Sequence, residues 1–80
     1  MTRPEVHQKL TSIFREVLDD PSLEISDATT ASDVEGWDSL AHINLIVAAE
    51  KAFGVVFTTK EVKGFKNVGD FIGAIAGRAK

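Results

Sequence analysis

The apolar positions of this chain fall into helical stripes divided by polar stretches, and one of those stretches is much longer than the others. Val6, Leu10, Ile13, Phe14, Val17 and Leu18 recur at spacings of three and four, the period of one helix face. Thr2-x-x-Glu5 marks the start of that helix as a capping box, with Pro4 tolerated in the first turn. Asp19-Asp20-Pro21 marks its end, because the residue before a proline avoids the α region. From about Asp20 to Asp38 the chain is rich in Ser, Thr and Asp, with only Leu23, Ile25, Val34 and Trp37 as scattered apolar residues. A connection of this length is functional or packs as an Ω-like loop, and Leu23 and Ile25 are expected to pin it to the core.

Asp38 reads as the N-cap of a second helix that starts at Ser39. Leu40, Ile43, Leu45, Ile46, Val47, Ala48, Ala49, Ala52 and Phe53 make it apolar over more than half its circumference. That breadth predicts a central helix touching several neighbours. Gly54 supplies the left-handed residue that ends it. Val55-Val56-Phe57 has strand propensity but no partner strand, so it reads as an extended, buried linker. Thr58-x-x-Glu61 opens a short helix that Gly64 ends, and Asn67 caps a last helix with Val68, Phe71, Ile72 and Ile75 inward. Gly69 and Gly73 weaken that helix by roughly 1 kcal/mol each against alanine, which points to close packing there. The expectation is an all-α bundle of three longer helices and a short third one, with a long first loop, as a single domain over residues 1–80. Phe14, Ile46, Phe53 and Phe71 should meet in one core.

Composition narrows the function classes. With 80 residues the chain holds one small core, and 44% hydrophobic residues are too many for a disordered protein. No apolar run is long enough to span a membrane, and the polar opening Met1-Thr2-Arg3-Pro4-Glu5 does not read as a signal segment. Zero Cys removes disulfides, thiolate metal sites and intrinsic thiol chemistry; a cytoplasmic monomer is the expectation. The net charge of −3 is unevenly spread: residues 1–50 carry −7 and residues 51–80 carry +4. Such polarity favours oriented protein partners. It argues against nucleic acid, because the lysines are not interleaved with aromatics and the total is negative.

Candidate chemistry concentrates in Glu35-Gly36-Trp37-Asp38-Ser39-Leu40. One reading makes Ser39 an ordinary helix-start residue. A second makes it a hydrolase nucleophile, with Asp38 and His42 near in sequence. Those residues flank the serine rather than forming an ordered Ser-His-Asp chain, and no Gly-x-Ser-x-Gly elbow is present. His42 reads instead as a partly exposed polar residue near the site, and His7 as a solvated residue of the first helix. The third reading is covalent modification by a phosphate-bearing group, which a helix N-terminus stabilises through its free N–H groups and dipole by about 0.3–1 kcal/mol. Gly36 leaves a modifying enzyme room to approach.

Gly36-Trp37-Asp38-Ser39-Leu40, followed by Ile43, Leu45-Ile46, Glu50, Phe53-Gly54 and Phe57, resembles the acyl carrier proteins, and the likeness extends over essentially the whole chain. The resemblance implies a four-helix acyl-carrier bundle in which a phosphopantetheinyl transferase moves 4′-phosphopantetheine from coenzyme A onto Ser39, using Mg²⁺ in its own site. The arm's thiol would carry acyl groups as thioesters to acyl-loading, acyl-transfer or synthase enzymes. The carrier itself catalyses nothing and holds no metal. Asp38 would cap the helix near the transferase, and Leu40 would flank the attachment site. Ile46, Ala49, Val62 and Phe65 match the lining of the acyl gap, and Leu40, Ile43, Glu50, Lys60 and Lys63 match docking positions.

The chain departs from carriers of primary fatty acid synthesis, which are densely acidic around the second and third helices. Here those positions include Lys51, Lys60, Lys63 and Lys66, with Glu50 and Glu61 the remaining acids. A specialised lipid, polyketide-like or acyl-transfer pathway is therefore expected. A carrier of primary fatty acid synthesis, an aminoacyl or peptidyl carrier, and an unmodified helical interaction module are the alternatives.

Overall fold

The computed structural model describes residues 2–78. Four α-helices follow one another: α1 Arg3–Val17, α2 Ser39–Phe53, α3 Thr59–Gly64 and α4 Val68–Ala76. One turn of 3₁₀ helix at Ala31–Asp33 interrupts the long connection between α1 and α2. Among the described residues no strand forms. The only β-type pairing there is a single antiparallel bridge between Thr30 and Asn67.

Each helix begins where a side chain can satisfy its unpaired N–H groups. Thr2 and Glu5 form a reciprocal capping box on α1, and Thr58 and Glu61 form the same device on α3. Asp38 caps α2 by accepting from the Ala41 N–H at 2.8 Å, and Asn67 caps α4 by accepting from Asp70 N–H at 2.8 Å. α2 ends at Gly54 in the left-handed region, and residues 55–57 continue as an extended linker with Val55 and Phe57 buried.

The core is one cluster between α1, α2 and α4. Val6, Leu10 and Phe14 of α1 meet Leu45, Ile46, Ala49 and Phe53 of α2 and Val68, Phe71, Ile72 and Ile75 of α4. Phe14, Ile46, Phe53 and Phe71 are all members, as expected from their spacing. Ile25, Val34 and Trp37 fold inward from the long loop, with Leu23 packed at the margin. Trp37 meets Phe14 edge-on, ring centroids 5.0 Å apart, an arrangement worth roughly 0.5–1.5 kcal/mol beyond area burial.

Long-range polar contacts lace the loop down. Arg15 Nε–H donates to the Leu23 carbonyl at 2.7 Å, and Arg3 pairs with Asp27 at 2.9 Å. The Val68 and Gly69 N–H groups, free at the start of α4, donate to Thr29 and Asp27 carbonyls at 2.8 and 2.9 Å. His7 corrects the sequence reading. It is half-buried rather than solvated, and its Nε2 lies 2.5 Å from the Ile25 carbonyl, so it satisfies loop backbone.

α2 touches several neighbours, as its apolar circumference predicted, since it meets both α1 and α4 in the core, yet it buries only Leu45, Ile46, Ala49 and Phe53. Leu40, Ile43 and Val47 remain exposed, because α3 is too short to cover that side. None of α3's six residues is fully buried.

Candidate functional site

The turn that delivers Ser39 is built by Gly36. The Trp37 N–H donates to the Val34 carbonyl at 3.3 Å, and Gly36, third in that four-residue turn, has φ of +88°. A side chain at that φ is strained, so the local geometry calls for glycine. The chain then passes through buried Trp37 to Asp38, whose cap sets the direction of α2. Ser39 is the first residue of the helix and is exposed. Among the described residues its hydroxyl has no hydrogen-bond partner within the protein.

His42 lies one turn further on but does not serve Ser39. Its Nδ1 accepts from the Trp37 indole N–H at 3.2 Å, and its Nε2 lies 3.1 Å from the Val62 carbonyl of α3. Both ring nitrogens are therefore occupied elsewhere, which leaves Ser39 without a base. The expectation of a merely polar, partly exposed His42 understated its role.

Beside Ser39 an open groove of about 680 Å³ runs between α2 and α3. Trp37, His42, Ile43, Val62 and Phe65 give it a largely apolar wall, while Thr59, Lys63 and Lys66 line the α3 side. Of the residues matched to an acyl gap, Val62 and Phe65 line this groove. Ile46 and Ala49 do not: they lie in the closed core beneath it, 7% and 0% exposed. Phe65 reaches the groove by stacking on Phe71, centroids 5.1 Å apart, with Phe57 edge-on to both.

The docking positions also separate. Leu40 and Ile43 are 68% and 57% exposed, and with Val47 they form one stripe along α2. Lys60 and Lys63 are exposed on α3. Glu50 is turned inward, where its Oε2 accepts from the Phe57 N–H at 2.9 Å and fixes the extended linker. It is thereby withdrawn from the outward acidic surface that its position in the sequence suggested. Trp37, Thr59 and Lys66 belong to the site but were not singled out from sequence as lining. A buried indole needs an acceptor, and His42 five residues on was the available signal.

An exposed, unengaged hydroxyl at a capped helix start, beside an apolar groove, can hold a covalently attached, partly apolar group. The comparisons with known proteins agree. A family model described as "Phosphopantetheine attachment site" matches residues 8–75. The acyl carrier protein of Acidothermus cellulolyticus is 34% identical over 76 residues, covering 95% of this chain and 90% of that protein. The acyl carrier protein of Prochlorococcus marinus is 36% identical over 73 residues, covering 90% of each. The solution structure of a holo acyl carrier protein from Geobacter metallireducens superposes with a TM-score of 0.86 at 40% identity, covering 91% of this chain and 84% of that one. The chain belongs to the acyl carrier protein family, and its cofactor is 4′-phosphopantetheine. The residues present fit such a group: the positive end of α2 suits a phosphodiester, and the groove wall suits an alkyl and amide chain.

Proposed function

We propose that Ser39 is the single attachment point of 4′-phosphopantetheine and that the protein carries acyl intermediates for a specialised pathway. The observation that carries this reading is the Ser39 hydroxyl, exposed and unbonded at the first position of α2, inside Asp38-Ser39-Leu40. When bound, the arm supplies the thiol that this cysteine-free chain lacks, able to hold an acyl group as a thioester. Asp38 holds the start of α2 so that the Ser39 and Leu40 N–H groups face the phosphodiester. Leu40, Ile43 and Val47 offer partner enzymes an apolar strip. Val62 and Phe65, with Trp37 and Ile43, shield apolar cargo from water. Ser39 has no base, so bond making and breaking fall to partner enzymes: the transferase that loads the arm, and the acyl-loading and acyl-transfer or synthase enzymes that use it.

The specialised pathway is supported by charge. Lys60, Lys63 and Lys66 surround α3, and Glu50 is held by backbone, so this side presents cations to a docking partner. A basic enzyme patch would meet repulsion here, at about 0.2–1 kcal/mol for each exposed pair. The attachment is tested by intact mass after incubation with coenzyme A, Mg²⁺ and a broad transferase. One phosphopantetheine should be added to the wild type and none to Ser39→Ala; modification of that variant would remove the assignment. The pathway reading is tested with an acyl-loading enzyme of primary fatty acid synthesis at low and high salt. The Lys60, Lys63, Lys66 to Glu triple variant should be used better than wild type at low salt, and equal rates would defeat the charge argument.

A further inference from the structure

Among the described residues, His42 is the one side chain whose hydrogen bonds join three separate parts of the molecule at the groove. It sits on α2, bonds Trp37 of the long loop, and bonds the backbone of α3. The partners fix its proton. The Trp37 indole N–H can only donate, so Nδ1 must present a lone pair. The Val62 carbonyl can only accept, so Nε2 must carry the hydrogen. Both bonds form together only in the neutral Nε2–H tautomer. The Trp37 and His42 rings also stack, with centroids 6.0 Å apart and planes at 24°.

We infer that His42 is a positioning residue, a clasp that holds α3 and the Trp37 loop against the first turns of α2 and releases the Trp37 loop when its imidazole is protonated. A proton on Nδ1 would face the Trp37 N–H, donor against donor, inside a half-buried contact. That bond must then break, and the stacked pair must part. Nε2–H keeps donating to the Val62 carbonyl, and α3 stays fastened there, by the Arg78–Glu61 pair and by half-buried Val62 and Phe65. The charged groups around the clasp are Asp38 from the loop, Lys63 from α3 and Lys66 from the segment after it, all lining the same groove. Asp38 is engaged by the Ala41 N–H. Glu61, also on α3, is engaged by Thr58 and Arg78. None of these is placed by a hydrogen bond to neutralise an imidazolium. The same protonation therefore frees the Trp37 wall of the groove and leaves the α3 wall in place. The clasp itself is a property of the unmodified chain. Its consequence for cargo rests on the reading of the groove given above.

The test uses the unmodified protein, in which Trp37 is the only tryptophan and tyrosine is absent, so indole fluorescence reports the surroundings of Trp37 alone. Between about pH 8 and about pH 5, the range of histidine titration, wild type should show one inflexion in Trp37 emission. His7→Gln should keep it. His42→Gln should lose it, because an amide can accept from Trp37 and donate to Val62 without titrating. ¹⁵N shifts of wild type at about pH 8 should show a protonated Nε2 and a bare Nδ1, a readout that requires no variant to fold. Amide exchange at Trp37, whose backbone N–H bonds the Val34 carbonyl, should rise several-fold after correction for intrinsic rates on the acid side in wild type and stay level in His42→Gln. A protonated Nδ1 at the high-pH end, an inflexion that survives in His42→Gln, or Trp37 exchange unmoved by the transition would each overturn the clasp. Loading of phosphopantetheine is measured separately: failure at Ser39 with the fluorescence transition intact would remove the reading of the site and leave the clasp standing.

Discussion

α4 and α3 follow one another in the chain and are built on opposite principles. α4 places Val68, Phe71, Ile72 and Ile75 in the core within nine residues. α3 places none of its six residues there. It is held instead by fasteners at its edges: the Thr58–Glu61 capping box, the Arg78–Glu61 ion pair, the His42 bond to Val62, and half-buried Val62 and Phe65. Hydrophobic burial is cooperative with the whole fold, whereas a few polar fasteners can open locally. The groove thus has one rigid wall, α2, and one wall that can yield. Such an arrangement suits a surface that must admit and release a group while the bundle stays folded.

The sharpest way to break this comparison is to remove a side chain from each region. Phe71→Ala should cost about 3–5 kcal/mol in global stability, because it empties the centre of the aromatic cluster. Val62→Ala should cost only about 1 kcal/mol, since its methyl groups are half exposed. Denaturant midpoints decide the matter, and equal losses would mean that α3 belongs to the cooperative core.

The caps give a smaller contrast. Asp38→Ala should lower global stability by about 1 kcal/mol, because α2 carries Leu45, Ile46, Ala49 and Phe53 into the core and its start would lose a bonded N–H. Thr58→Ala should leave the global midpoint nearly unchanged while raising amide exchange in α3. A global loss as large for Thr58 as for Asp38 would contradict local opening.

The two glycines of α4 should respond with opposite signs. A methyl at Gly69 would lie 2.9 Å from the Asp27 backbone oxygen, so Gly69→Ala should destabilise by about 1 kcal/mol despite the gain in helix propensity. At Gly73 the nearest atom is the end of the flexible Arg3 side chain at 3.3 Å, so Gly73→Ala should stabilise by up to about 1 kcal/mol. Thermal unfolding of the two variants checks the signs.

The smallest effect is in acid. The Thr58 backbone N–H, ahead of the bonds from Arg78 and the Thr58 hydroxyl, holds the Glu61 carboxyl below its ordinary 4.5. A carboxyl with a lowered folded-state pKa binds its proton less tightly than in the unfolded chain. Its support for α3 is therefore complete above about pH 4.5 and is lost as pH falls through the lowered value. Side-chain NMR should follow that titration, and Thr58→Ala should move it back towards 4.5. A Glu61 titrating at or above 4.5 in wild type would show that the cap is not formed.

Local signals in the chain were enough to place every helix. Thr2, Asp38, Thr58 and Asn67 each cap the helix they were read to start, because capping is settled within three residues and needs no distant partner. The inner faces of α1 and α4 followed from periodicity for the same reason. Periodicity overreached on α2: it counts apolar positions and cannot tell a buried one from an exposed one. Leu40, Ile43 and Val47 thus counted towards a helix covered on most sides and stand exposed, where only the resemblance had set Leu40 and Ile43 apart as docking positions. Ile46 and Ala49 were assigned to a gap and lie in the core below it, since which face meets α1 depends on how the helices cross.

What the sequence determined by itself was the helical order, the capped helix start at Ser39 and the resemblance that gave the site its meaning. All of these are written in runs of a few adjacent residues. Tertiary structure alone decided that His42 joins Trp37 to Val62, that Glu50 turns inward to Phe57 N–H, that His7 serves the Ile25 carbonyl, and that two lysines flank an apolar groove. Those pairings join residues five to twenty positions apart, and a polar side chain with several acceptors in reach takes its partner only once packing has removed the others from contact and from water.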